Sequence, residues 1–254
     1  MIISLYSAFF FVIGIIFGSF FNVVGYRVPK KESIIFPHSH CTKCKNKLGL
    51  FELIPIFSYI FLGGKCKYCK AEISVVYPLI ELLTGLLFFV SYLKFSLSLN
   101  LLLSLLFVSL SIIVIVSDVR YMIIPNEFII IFYILILIVR IIMVGYIDVV
   151  KILLDSLIPF MTLYIIKLFG DKLFKKETLG GGDIKLMLIV GILLGWGNGI
   201  LTIFLGTFLA FPIALYYYFK DKKNMLPFGP FLSIGALSLH YIGLSAIEII
   251  RLFY

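Results

Sequence analysis

Residues 98–144 read SLNLLLSLLFVSLSIIVIVSDVRYMIIPNEFIIIFYILILIVRIIMV, two apolar runs joined by a short polar segment. Each run supplies about the 20 apolar residues with which a helix crosses the hydrocarbon layer of a bilayer. Runs of this kind recur along the chain. We therefore predict an all-α polytopic membrane protein with about eight membrane-spanning helices, at residues 3–25, 76–93, 98–117, 122–144, 149–168, 183–198, 200–219 and 229–250.

The composition also indicates lipid as the main solvent. The 254 residues are 62% hydrophobic and 14% charged, whereas a soluble domain has about 25% charged residues. The net charge is +9, and a basic excess can indicate either nucleic acid or a membrane surface as a partner. Because Lys and Arg cluster in the short segments between the apolar runs, we expect membrane lipids, and not nucleic acid, as the partner.

The distribution of Lys and Arg predicts the orientation, since cytoplasmic loops of membrane proteins carry the excess of these residues. With eight spans, 18 of the 22 basic residues fall on one side of the membrane. That side includes the polar loop 27–75, and the other side holds Lys94, Arg140, Lys151 and Arg251. We therefore predict that the loop is cytoplasmic and that both termini are outside.

The predicted cytoplasmic loop holds all four cysteines, as Cys41-x2-Cys44 and Cys66-x2-Cys69. Two such pairs bring four thiolates to one tetrahedral point, which is the geometry of structural zinc. A reducing cytoplasm argues against disulfides, although redox pairs and unliganded thiols remain alternatives. Zinc with four protein ligands has no open position for water, so we predict a structural ion that holds the loop together.

Two aspartates lie at membrane depth, where ionisable residues are rare and usually functional. Asp118 ends the third predicted span and Asp183 begins the sixth, so the predicted topology places both at the cytoplasmic face. Two neighbouring carboxylates share one proton, which supplies a base to activate water and an acid for the leaving group. Alternatively, Asp118 only extends to the membrane interface beside Arg120, and Asp183 is an ordinary N-terminal helix residue favoured by the helix dipole. The three glycines 180–182 favour the functional interpretation, because glycine lets an extended peptide approach closely.

The segment Gly180-x-Gly182-Asp183 matches the GxGD signature of intramembrane aspartic proteases. The wider pattern resembles the bacterial type IV prepilin peptidases, and its elements occur in family order over nearly the whole chain. These elements are Phe17-Gly18-Ser19-Phe20-Phe21-Asn22-Val23-Val24 with Arg27 and Pro29, the two cysteine pairs, Ile54-Pro55, Gly64-Lys65-Cys66, Ile73-Ser74, Tyr77-Pro78 with Glu81, Asp118 with Pro125, Gly182-Asp183-Ile184-Lys185-Leu186, and Pro227-Phe228-Gly229-Pro230-Phe231-Leu232. Leu179 and Phe21 depart from the family, which usually has Met and Leu there.

The resemblance implies a bifunctional enzyme of the bacterial plasma membrane. Such proteins cut the basic leader from pilin, secretion-pseudopilin or competence-pseudopilin precursors at the cytoplasmic face. They then methylate the new N-terminal amine with S-adenosylmethionine. By resemblance, the catalytic pair is Asp118 and Asp183. With the predicted spans, the chain divides into a first transmembrane helix (1–26), a cytoplasmic four-cysteine zinc loop (27–75) and a seven-helix core (76–254), which the resemblance identifies as the aspartic peptidase part.

Other polar residues have two interpretations each. Glu81 is a candidate for the active site or the methyl-donor pocket, or else a carboxylate that reaches the interface. Lys185 either biases the aspartate pair or extends to the interface. Ser19 and Asn22 share a face of the first helix and are expected to pack against another helix. The segment 227–230 either closes the cytoplasmic mouth or only starts the last helix.

Two further functions remain as alternatives. One is a peptidase of the same family without the methylation step. The other is a membrane transporter or a scaffold with a zinc-bound docking loop. A transporter commonly has discontinuous helices in two related halves, which this sequence does not show. A scaffold has no need of two aspartates at one depth.

Overall fold

The computed structural model describes residues 2–220, 226–244 and 248. Within these ranges the chain forms helices, short 3₁₀ turns and no named strand, which confirms the predicted all-α fold. The chain divides into two compact units, Met1–Leu97 and Ser98–Tyr254. The functional division at residues 26 and 75 stays a prediction.

The first unit is built on two packed helices, α1 (Ile2–Arg27) and α3 (Val76–Phe95). Glycine makes their approach close, since a Cβ added at Gly14 would lie 2.8 Å from Cα of Gly85. Gly18 lies equally close to the backbone of α3. Small residues at a helix interface allow this packing in a membrane.

The loop between α1 and α3 contains short elements only. It includes the 3₁₀ turns Val28–Lys30 and Phe51–Leu53 and the five-residue helix α2 (Phe57–Phe61). Two isolated antiparallel bridges, His40 with Lys47 and Lys65 with Glu72, each close one of the cysteine pairs into a hairpin. The loop therefore has little regular structure of its own apart from these hairpins and α2.

The second unit contains the remaining helices. They are α4 (Leu99–Tyr121), α5 (Asn126–Val144), α6 (Val149–Phe174), α7 (Gly181–Lys220) and α8 (Gly229–Ile242), with a 3₁₀ turn at Tyr146–Asp148. Helix α4 packs against α5 and α8, and α7 packs against α5, α6 and α8. Most of the side chains of α4 are buried, among them Phe107, Leu110 and Ile112. The ends of α4, α7 and α8 thus belong to one packed core.

Six helices in the described residues are long and apolar enough to cross a membrane, which confirms a polytopic membrane fold. The predicted spans 183–198 and 200–219 both lie in α7, which is interrupted at Gly195. Gly195 has φ 81° and ψ 164°, a conformation that residues with a side chain rarely adopt. The predicted span 229–250 begins with α8, but α8 ends at Ile242 and most later residues lie outside the described ranges. The count of eight stays a prediction.

Candidate active site and metal centre

Asp118 lies in the last turn of α4 and is only 5% exposed. Its Oδ2 accepts a hydrogen bond from the backbone N–H of Gly229, the first residue of α8, at 2.9 Å. Helix α4 ends three residues later, and Met122 follows with φ 55° in the left-handed region. The carboxylate is therefore held at the point where α4 and α8 meet.

Asp183 lies in the first turn of α7 and is 7% exposed. Gly180 lies beside this carboxylate, since a Cβ added at Gly180 would lie 2.9 Å from Oδ2 of Asp183. The helix N-terminus also favours a negative charge here, because its N–H groups carry partial positive charge. Oδ1 of Asp183 is buried and has no hydrogen-bond partner among the described residues. One oxygen of this carboxylate is thus available to a ligand.

The two carboxylates lie close enough for their charges to interact. The side chain of Ile124, just after α4, lies against the first residues of α7 and α8. A Cβ added at Gly182 would lie 2.7 Å from Cβ of Ile124, and one at Gly229 would lie 3.0 Å from its Cδ1. The absence of side chains at Gly182 and Gly229 therefore leaves room for Ile124 between the starts of α7 and α8.

Lys185 makes a contact that the sequence did not predict. Its Nζ donates a hydrogen bond at 2.7 Å to Oδ1 of Asn126, the first residue of α5. The two residues are 59 apart in the sequence, so helical spacing could not predict the contact. Only the packing of α5 against α7 brings Lys185 to Asn126. The contact joins the start of α5 to the start of α7, next to Asp183.

The role of Gly229 was also missed at the level of sequence. The segment 227–230 was predicted either to close a mouth or to start a helix. In the structure α8 starts within this segment, and the backbone N–H of Gly229 donates a hydrogen bond to Asp118. The sequence signal was Pro230, since proline is common in the first turn of a helix. The N–H groups of that turn have no partner within the helix and bind groups outside it.

Glu81 lies in α3 of the first unit and is 7% exposed. Its Oε2 accepts a hydrogen bond from the backbone N–H of Ile56 at 2.7 Å, and the Ser19 side chain interacts with the same carboxylate. Asn22 donates to the backbone oxygen of Tyr77 at 3.3 Å. Ser19 and Asn22 of α1 therefore both contact α3, as their helical spacing predicts.

Each cysteine pair lies in a tight turn of the same form. The backbone N–H of Lys45 donates to the oxygen of Cys41 at 2.9 Å, and that of Lys70 donates to the oxygen of Cys66 at 3.0 Å. Lys45 and Lys70 have φ values of 60° and 56°, both in the left-handed region. The two turns present their thiols in matching ways.

The four sulfurs converge on one point. The Sγ atoms of Cys41 and Cys69 are 3.8 Å apart, those of Cys44 and Cys66 are 4.0 Å apart, and all four lie within 4.8 Å of one another. A tetrahedron with Zn–S bonds of about 2.3 Å has S···S edges of about 3.8 Å. The cluster thus fits zinc.

The pKa values of the thiols also indicate a site for a cation. Backbone N–H groups of Cys44 and Lys43 lower the pKa of the Cys41 thiol to about 6. At Cys44 the N–H of Asn46 acts in the same direction, but burial and the other three sulfurs raise its pKa to about 11. Four sulfurs this close do not all carry a negative charge unless a cation neutralises them. The cluster is therefore chemically suited to a divalent metal ion.

Two families match the chain, one within each compact unit. The Bacterial Peptidase A24 N-terminal domain matches residues 12–95, and the Type IV leader peptidase family matches residues 105–215. A Prepilin leader peptidase/N-methyltransferase of Bacillus subtilis is 35% identical over 250 residues, which cover 94% of this chain and 95% of the relative. Proteins of the same name from Myxococcus xanthus and Klebsiella pneumoniae are 36% and 30% identical, and each match covers 76% of this chain and 57% and 86% of the relative, respectively. No solved structure matches the chain.

Fold and site together define an integral membrane protein with a buried pair of carboxylates in one unit and a four-cysteine cluster in the other. The chain belongs to the type IV leader peptidase family. This confirms the resemblance drawn from the sequence motifs. The roles of individual residues rest on the geometry described above and on the proposals that follow.

Proposed function

We propose that this protein cleaves the basic leader from prepilin-like precursors with Asp118 and Asp183, at the cytoplasmic face of the bacterial plasma membrane. It then N-methylates the new terminus. The observation that carries the proposal is the burial of both carboxylates at helix ends, near enough for their charges to interact, with one oxygen of Asp183 unpaired among the described residues. The names of the relatives support the same pair of reactions.

The chemistry requires one ionised and one protonated carboxyl group, which two neighbouring aspartates that share one proton supply. Asp183 accepts the proton of a water molecule through its unpaired Oδ1, and the water oxygen attacks the carbonyl carbon of the scissile peptide bond. Asp118, held by the N–H of Gly229, donates a proton to the carbonyl oxygen. As the C–N bond breaks, the leaving amine takes up the proton that Asp183 received from water, and the hydrated carbonyl returns a proton to Asp118. The leader leaves with the new carboxyl group.

The glycines before Asp183 support binding of an extended substrate. A Cβ added at Gly181 would meet no described atom within 4 Å, so open space adjoins this backbone. A peptide lying there would meet N–H and C=O groups without an intervening side chain. A protease needs this access, because it binds the residues around the cleaved bond in an extended form.

The four cysteines Cys41, Cys44, Cys66 and Cys69 would hold zinc as a structural ion. Four thiolate ligands complete a tetrahedral shell, so no position remains for water or substrate. A loop with so little regular structure gains folding free energy from the metal–ligand bonds. The zinc site is therefore proposed to shape the cytoplasmic loop rather than to take part in hydrolysis.

The methyl donor implied by the relatives' names is S-adenosylmethionine, which supplies a methyl group on a cationic sulfur. Glu81 is a buried carboxylate within a membrane-spanning helix of the first unit. A carboxylate suits a cationic ligand, so Glu81 remains the candidate residue for this site. Its hydrogen bond to Ile56 also gives it a positioning task in the loop.

The proposal is tested with the purified full-length protein, a synthetic prepilin precursor and S-adenosylmethionine carrying a labelled methyl group. Mass spectrometry of the products should show loss of the leader and a labelled methyl group on the new N-terminal amine. Cleavage without label would leave the peptidase-only alternative. An intact precursor, with a Bacillus subtilis relative active in parallel, would reject the proposed function.

A further inference from the structure

One segment of the first unit is apolar and exposed, although it lies in the loop and not in a membrane-spanning helix. Residues 50–62 read LFELIPIFSYIFL and contain the 3₁₀ turn Phe51–Leu53 and helix α2. Leu50 is 86% exposed, and Phe51 and Phe61 are each 84% exposed. Contiguous apolar surface of this kind marks a site that contacts another molecule or a membrane.

The only charged residue of the segment 50–62 is neutralised within the loop. Glu52 forms an ion pair with Nζ of Lys67 at 2.9 Å and accepts a hydrogen bond from the backbone N–H of Gly49. The Glu52 side chain is only 8% exposed as a result. The exposed surface of the segment therefore consists of aliphatic and aromatic groups without a free charge.

A hydrogen bond fixes the segment 50–62 to a defined position along α3. The N–H of Ile56, directly before α2, binds the carboxylate of Glu81 at 2.7 Å. Glu81 lies five residues into α3, which is about 7–8 Å along the helix from its start. Helix α3 has 20 residues and so is about as long as the hydrocarbon layer is thick. This contact holds the start of α2 beside α3, between one and two helical turns beyond the first residue of α3.

The charge of the loop complements a lipid surface. Residues 27–75 contain nine Lys and Arg residues and three Glu residues. Basic residues next to a membrane are attracted to anionic lipid headgroups at about 1 kcal/mol each. Both ends of the loop continue into membrane-spanning helices, so the loop stays within reach of the bilayer surface.

We propose that residues 50–62 form an interfacial anchor that inserts its apolar side chains into the headgroup–acyl boundary of the bilayer carrying α1 and α3. The occupant of this surface is lipid, because the hydrogen bond of Ile56 to the membrane-spanning helix α3, the neutralised Glu52 and the basic loop all fit a membrane surface. The anchor holds the cysteine cluster close to the membrane. This inference does not depend on the proposed enzymatic function.

Fluorescence of single tryptophans tests the anchor, because the chain has one Trp, at position 196. In a Trp196→Phe background, Phe61→Trp and Leu50→Trp each place a probe in the segment, so either one serves if the other does not accumulate. Lys43→Trp, at an exposed position in the first cysteine turn, is the matched control. Each variant is reconstituted in phosphatidylcholine–phosphatidylglycerol vesicles with acyl chains brominated near the headgroup.

The expected result is a blue-shifted emission at positions 61 and 50, with strong loss of intensity in the brominated vesicles. The control at position 43 should keep the emission of a water-exposed tryptophan and should not respond to bromine. A blue shift without quenching by bromine would mean that protein, either the second unit or another copy, covers the segment. Quenching only by a water-soluble agent would mean that the segment faces water. Either of these two results overturns the proposal.

Discussion

The backbone N–H of Gly229 donates a hydrogen bond of 2.9 Å to Oδ2 of Asp118 across 111 residues of sequence. The donor is a main-chain group, so its presence depends on the position of α8 and not on a particular side chain. The bond links the last turn of α4 to the first residue of α8. It gives the candidate site a partner that no substitution of a side chain can remove directly.

The substitution Gly229→Ala should disturb this partner. A Cβ at position 229 would lie 2.9 Å from Oδ2 of Asp118 and 3.0 Å from both Ile124 and Val114. Overpacking of this kind costs about 1–3 kcal/mol, and here the displaced group is the carboxylate itself. We expect strongly reduced precursor cleavage and a moderately lower thermal stability in detergent, both measured on the purified variant.

The matched control for this prediction lies on the same helix. A Cβ at Gly235 would meet its nearest atoms at 3.4 Å, an ordinary contact distance. Gly235→Ala should therefore keep its activity and stability. Equal activity of Gly229→Ala and Gly235→Ala would show that the hydrogen bond to Asp118 does not matter for cleavage.

The variants Asp118→Asn and Asp183→Asn should each abolish precursor cleavage, measured by mass spectrometry of the products. Asparagine keeps the size of the side chain but neither accepts a proton from water nor shares one with its partner. The pair acts as a unit, so the double variant should lose little more than either single variant. Removal of a charge from the membrane boundary should leave the amount of protein in the membrane unchanged.

Asp148→Asn is the control for the acid-to-amide change, because Asp148 is exposed in a turn between α5 and α6. The Asp148→Asn variant should cleave the precursor at the wild-type rate.

Supplied with an already processed pilin, the Asp118→Asn and Asp183→Asn variants should still transfer methyl groups. Substantial cleavage by either variant would assign the hydrolytic chemistry to other residues.

Replacement of Cys41 by Ser should lower both the bound zinc and the amount of protein in the membrane. Metal binding is coupled to folding, so loss of one of four ligands weakens both. The purified wild-type protein should contain about one zinc ion per chain, as four-coordinate structural sites do; metal analysis by mass spectrometry measures this. His40→Ala should retain the metal, since His40 precedes Cys41 but its ring bonds to the backbone oxygen of His38. Full zinc content after replacement of both Cys41 and Cys44 would contradict the four-thiolate site.

Glu81→Gln separates the charge of this residue from its hydrogen bond. An amide oxygen can still accept the N–H of Ile56, so the loop should fold and precursor cleavage should continue. The amide has no negative charge for a cationic methyl donor, so methyl transfer and binding of S-adenosylmethionine, measured by calorimetry, should both fall. Glu81→Leu should in addition lower stability, because the N–H of Ile56 loses its partner. Unchanged donor binding by the Gln variant would limit Glu81 to the positioning task.

The membrane orientation can be tested with reporter fusions at Lys43 and Lys94. The excess of basic residues predicts that Lys43 is cytoplasmic and that Lys94 is outside. Protease protection at positions next to Asp118 and Asp183 should report the cytoplasmic side for both. Opposite sides for the two aspartates would exclude the proposed pair, whatever the family.

Much of the helical architecture follows from apolar run length. The runs at 76–93 and 122–144 predict α3 and α5 to within a few residues, because lipid requires every backbone group of a span to be paired within its own helix. Apolar run length does not predict the number of spans where glycine interrupts a run. Gly195 permits a non-helical residue within α7, and whether the chain reverses there is set by contacts, not by hydropathy.

The sequence by itself determined the membrane fold, the family, the two cysteine pairs and the candidate aspartates, because apolar length, ligand spacing and rare membrane charges are local properties. Only the tertiary structure decided what surrounds those residues. The N–H of Gly229 at Asp118, the Asn126 partner of Lys185 and the Ile56 partner of Glu81 all join segments far apart in the chain. Such contacts depend on how helices pack, and spacing along the chain does not specify which distant group a given residue will meet.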